Sequence, residues 1–145
     1  MEAYKNQLLS VSQRVEDLIS RMTLEEKVAQ LSCMAVAHGE IPDMENNLRN
    51  GVGEISDNFG QETMELNLAT AKKIQEFLTK HTRLGIPALI HSEALQGLAH
   101  AGGTIFPAAI GMAASWDPEL VVSMGDTIRS QAKAMGARQV LSPVM

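Results

Sequence analysis

The stretch Gly85-Ile86-Pro87-Ala88-Leu89-Ile90-His91 decides the fold of this chain. A short, near-continuous apolar run after a glycine is the pattern of a strand covered on both faces of a parallel sheet. Pro87 falls in its first residues, where a missing amide hydrogen does least harm. On its N-terminal side, Met64, Leu68, Ala71, Gln75 and Leu78 recur at helical spacing and predict a helix over 63–80. Before that helix, Gly51-Val52-Gly53-Glu54-Ile55-Ser56 reads as a short strand whose glycines permit close backbone approach. On the C-terminal side, Ala101-Gly102-Gly103 reads as a turn. Asp117-Pro118-Glu119-Leu120 then opens a helix, with Asp117 as N-cap, Pro118 at the first helical position and Glu119 in the first turn. Val121, Met124, Ile128, Ala132 and Met135 supply its apolar face, and Gly136 is placed to cap its end. Ala137-Arg138-Gln139-Val140-Leu141 begins another strand.

The N-terminal region adds helices. Val11, Val15, Leu18, Ile19 and Met22 predict one over 11–21, after a flexible lead-in at 1–10. Thr23-Leu24-Glu25-Glu26 has the form of a capping box, with Leu24, Val28 and Leu31 expected on the buried face of the helix it starts. The polar stretch 39–50, with Pro42, is expected to be a loop carrying a short helix around 44–49. Strands and helices taking turns, with short connections, imply right-handed βαβ units on a parallel sheet. The last strand has no helix after it, so the expectation is the first part of a larger α/β domain.

Composition narrows the function. The chain has 145 residues, 45% hydrophobic and 20% charged, with 12 basic against 17 acidic side chains and a net charge of −5. That balance, with a pI near 5.3, argues against binding a phosphate backbone. No window holds the roughly 18 apolar residues of a membrane helix, and the N-terminus lacks a signal core, so the chain is expected to be cytoplasmic. The single cysteine, Cys33, has no disulfide partner within the chain and is expected as a small buried hydrophobe in the apolar run 31–36. His38, His91 and His100 lack the spacing of a metal-binding pair, so no metal and no cofactor are expected.

Four blocks carry a resemblance. They are Met22-Thr23-Leu24-Glu25-Glu26-Lys27-Val28-Ala29-Gln30-Leu31, Arg83 to Gly97, Gly103 to Leu120, and Gln139-Val140-Leu141-Ser142-Pro143-Val144. In this order and spacing the chain resembles the N-terminal domain of glycoside hydrolase family 3, most of all its β-glucosidase and β-xylosidase branches. The resemblance implies the N-terminal portion of an incomplete (β/α)8 TIM-type barrel; a whole barrel takes about 250 residues. It also implies hydrolysis of β-linked glucosides or xylosides from non-reducing ends, with retention, through a covalent glycosyl-enzyme and without a cofactor. The family's nucleophile and acid/base lie beyond the positions matched here, in the remainder of the barrel and the domain that follows, so no catalytic residue is assigned within these 145.

The motif Glu93-Ala94-Leu95-Gln96-Gly97 takes the place where the family holds sugar hydroxyls of the −1 subsite with a carboxylate. Glu93 is therefore the candidate substrate-binding residue. It follows the expected strand at its carboxyl end, where barrels place their sites. A structural bond in a loop or a helix cap is its bland alternative. Gln96 and Ser92 depart from the family, where His and a second Glu are common, which bears on the sugar more than on the reaction. His91 either lines the same pocket or is a core histidine bonded to backbone. Asp57, after the strand 51–56, could stand on the carboxyl rim, but a turn role with Asn58 is the expected one. Asp117 fits a helix cap, and Trp116 beside it fits packing.

Overall fold

The computed structural model describes residues 2–36, 41, 43–56 and 63–144. Helix α1 (Val11–Arg21) starts at Ser10, whose hydroxyl accepts from the Gln13 amide while the Gln13 side chain accepts from the Ser10 amide. Residues 3–5, within the expected lead-in, form a 3-10 turn against it. Tyr4 is buried there, and its hydroxyl donates to the Leu84 carbonyl at 2.9 Å. Helix α2 (Leu24–Ala29) has the expected capping box between Thr23 and Glu26. Its expected buried face is overturned: Leu24, Val28 and Leu31 are exposed, and Glu26 is the buried residue. Arg83, 57 positions away, meets both Glu26 carboxylate oxygens and turns that side of α2 inward.

Strand β1 (Cys33–Ala35), helix α3 (Met44–Asn47) and strand β2 (Glu54–Ser56) follow. Helix α4 (Met64–His81) is capped by the Thr63 hydroxyl and buries Asn67, Thr70, Ala71, Ile74 and Leu78. Strand β3 (Leu89–Glu93) is displaced from the expected 86–91. Pro87 has no amide hydrogen, and the Gln75 side chain brackets Ala88, donating to its carbonyl at 2.7 Å and accepting from its amide at 3.1 Å. The ladder therefore opens only at Leu89, whose amide donates to Gly53. Helix α5 (Ala109–Ala113) precedes α6 (Pro118–Ala134), which Asp117 caps by accepting from the Leu120 amide at 3.0 Å. Gly136, at φ +93, ends α6 as expected, and strand β4 (Gln139–Leu141) closes the series.

The four strands are all parallel and lie in the order β1-β2-β3-β4. Sequential parallel strands with helical crossovers are an α/β fold in the arrangement of a partial TIM-type barrel. Because side chains alternate along a strand, the register separates two faces. Met34, Ile55 and Ile90 share the face that packs on α4 and α6, in a core with Ala71, Ile74, Leu78, Ala132 and Met135. Cys33, Glu54, Leu89, His91, Glu93, Gln139 and Leu141 share the other. Cys33 is exposed there, not buried: Met34 turns into the core, and its neighbour necessarily turns away.

Candidate functional site

Glu93 is the last residue of β3, exposed on the face opposite the helices. Among the described residues its carboxylate has no hydrogen-bond or ion-pair partner. It borders an open groove of about 780 Å³, with Leu95, Gln96, Leu98, His100 and Ile105 along the walls, a size typical of small-molecule sites. A carboxylate acceptor left unpaired on a groove can take two hydrogen bonds from neighbouring hydroxyls, and its charge strengthens both.

The loop that shapes this groove is fastened at several points. The Ala99 amide donates back to the Glu93 carbonyl at 2.9 Å, and the Phe106 amide to the Gln96 carbonyl at 2.8 Å. Gly97 sits at φ +92, and a β-carbon there would lie 1.9 Å from the Thr104 carbonyl oxygen. Thr104 is in turn clamped to α6 by the Gln131 side chain, which accepts from its amide and donates to its hydroxyl. His100 joins the loop to the sheet and to α4: its Nε2 lies 3.0 Å from the Ser92 hydroxyl and its Nδ1 lies 3.1 Å from Asn67 Nδ2. Ser92, where the sequence departs from the motif, thus points to the helical side and holds the loop in place.

His91 shares its face with Glu93 but not its environment. It is 8% exposed, and its Nδ1 lies 2.7 Å from Glu54 Oε1 on β2. Its partner is thus a carboxylate and not the backbone. Glu54 was not singled out from sequence; its alternation with the buried Ile55 was the available signal. Cys33 on β1 completes a group with Glu54 and His91, its sulfur and their ligand atoms lying within 4.8 Å of one another. His100 lies across the sheet from that group. His38 and Asp57 fall outside the described residues. Trp116, expected to pack, is 92% exposed at φ +55, the last residue before the cap of α6. Asp117 is the helix cap. No helix among the described residues is long and apolar enough to cross a membrane.

Comparison with known proteins matches residues 23–145 to the glycosyl hydrolase family 3 N-terminal domain. Beta-glucosidase C of Emericella nidulans is 31% identical over 97% of this chain and 25% of its own length. A periplasmic beta-glucosidase/beta-xylosidase of Dickeya chrysanthemi is 28% identical over 99% of this chain and 25% of its own. A solved β-glucosidase from Erythrobacter marinus superposes with a TM-score of 0.81 at 27% identity, over 98% of this chain and 20% of that one. The chain thus spans a fifth to a quarter of the length of these relatives. A family model that runs through the sheet, the Glu93 motif and α6 leaves one assignment: this chain belongs to glycosyl hydrolase family 3, within its N-terminal domain.

Proposed function

We propose that this chain is the portion of a retaining β-glycosidase that holds the sugar of the −1 subsite, acting on β-glucosides or β-xylosides at their non-reducing ends. The observation that carries the reading is the Glu93 carboxylate, without a partner among the described residues, at the end of β3 and bordering the groove. Retention needs a nucleophile and an acid about 5 Å apart. We assign neither to these residues; the remainder of the barrel and the following domain supply both. As an oxocarbenium-like centre develops, Glu93 accepts hydrogen bonds from ring hydroxyls and fixes the sugar against the nucleophile. His91 stands two residues earlier on the same strand face, bonded to Glu54 and outside the lining of the groove. The names of the relatives, which include both a β-glucosidase and a β-glucosidase/β-xylosidase, support this substrate class.

The test is the product anomer. Proton NMR of the intact polypeptide acting on an aryl β-glucoside and an aryl β-xyloside is expected to show the β-anomer released first. First release of the α-anomer, or turnover of neither substrate, would overturn the reading.

A second reading is a non-catalytic subunit completed by another chain. The exposed apolar side chains of α1 and α2, among them Val11, Leu24 and Val28, favour it, because such surfaces are normally covered. Mass spectrometry of the native polypeptide separates the two. A mass far above 15.7 kDa supports the glycosidase; a mass at that value supports the subunit.

A further inference from the structure

Below Glu93 on the same sheet face, three strands converge on a mixed set of donors. Cys33 opens β1, Glu54 opens β2, and His91 is the middle residue of β3. The ladder pairs Cys33 directly with Glu54 and sets His91 against Ser56, two residues further along β2. The Cys33 sulfur, a Glu54 oxygen and a His91 nitrogen all lie within 4.8 Å of one another. Main-chain ladders fix these positions, and sites built on strands hold their geometry better than sites on loops. The His91–Glu54 hydrogen bond accounts for two of the three groups. It leaves Cys33 unexplained, an exposed thiol on the same spot.

We propose that Cys33, Glu54 and His91 form a binding site for a thiophilic divalent cation of the zinc class, with three protein ligands and one open position. Zinc takes sulfur at about 2.3 Å and nitrogen or oxygen at about 2.0–2.2 Å. Its tetrahedral ligand atoms therefore stand roughly 3.3–3.7 Å apart. The three side chains reach that spacing by closing on the thiol and by opening the 2.7 Å His91–Glu54 contact slightly. Thiolate with imidazole selects against magnesium and calcium, which take oxygen. Facing a carboxylate, His91 Nδ1 carries the ring hydrogen. Binding moves that proton to Nε2, releases the Cys33 thiol proton to solvent and ligates Glu54 as the carboxylate. The site is two residues below Glu93, about 7 Å along the strand, and it stands whether or not the glycosidase reading does.

The test is titration of the intact polypeptide with Co²⁺, which reports zinc-type sites by colour. The expected result is 1:1 binding with a thiolate-to-cobalt charge-transfer band in the near ultraviolet, reversed by Zn²⁺. The band is absent in Cys33→Ala, and Glu54→Gln weakens binding by about tenfold or more. Cys33 is exposed, so Cys33→Ala keeps the fold, and a melt without metal checks it. A titration with no Cys33-dependent band, or with equal binding by wild type and Cys33→Ala, would overturn the proposal and leave a plain histidine–carboxylate hydrogen bond.

Discussion

Replacing Gly97 with alanine is expected to damage the Glu93 groove from the inside. The new β-carbon would lie 1.9 Å from the Thr104 carbonyl oxygen and 3.0 Å from its carbon, both backbone atoms that no rotamer change can move. Real β-carbons essentially never come within 3.0 Å of such atoms, so the loop must open by about 1 Å. The clamp from Gln131 to Thr104 and the Phe106–Gln96 bond resist that opening. The backbone adds its own cost, because φ +92 is held only by glycine without strain. Strain of 1–3 kcal/mol together with overpacking of similar size gives a loss of about 3 kcal/mol or more. A displacement of 1 Å at a binding site is also worth roughly 100-fold in rate. The assay is a urea titration of the intact polypeptide beside kcat/KM on an aryl β-glycoside. A Gly97→Ala variant with the parent's midpoint and turnover would mean that the loop is not fixed where the structure puts it.

Other perturbations separate the parts of the fold. Gly125 is mid-helix in α6, and outside that helix's own backbone no described residue lies within 4 Å of an added β-carbon, so Gly125→Ala should raise stability by up to about 1 kcal/mol in the same titration. Ile74, fully buried between α4 and the sheet, should cost about 2–5 kcal/mol as alanine, read from the shift in urea midpoint. The Arg83 guanidinium beside Glu26 holds its carboxyl below the ordinary 4.5. The folded state therefore sheds this proton more readily than the unfolded chain. Stability from the pair is complete above 4.5 and is lost as pH falls through the lowered value. Glu26→Gln should lower the urea midpoint at neutral pH and make no difference in strong acid.

What the sequence revealed was mostly what is local. The capping box at Thr23, the cap at Asp117 and the stop at Gly136 depend on neighbours a few positions apart. The long apolar periodicities of α4 and α6 needed no distant partner to be read. What was hidden depends on contacts across the chain. Gln75 occupies the backbone of Ala88 and moves the start of β3 by three residues. Arg83 draws Glu26 inward and reverses the expected faces of α2. Cys33 lies in an apolar run, yet alternation in β1 gives the core to Met34 instead. The candidate site divides the same way. Glu93 was legible from its motif and its strand end, whereas the His91–Glu54 pair, spanning two strands and 37 positions, has no signature in either segment alone.

The proposed role of Glu93 in holding the substrate is tested by kcat/KM of Glu93→Ala in the intact polypeptide. Each charge-assisted hydrogen bond to a sugar hydroxyl contributes about 1.5–3 kcal/mol, so losing two predicts a fall of at least about 100-fold. Because Glu93 is exposed and has no partner among the described residues, the melting curve should not move. A variant that folds normally and turns over substrate as the parent does would show that Glu93 does not hold the sugar.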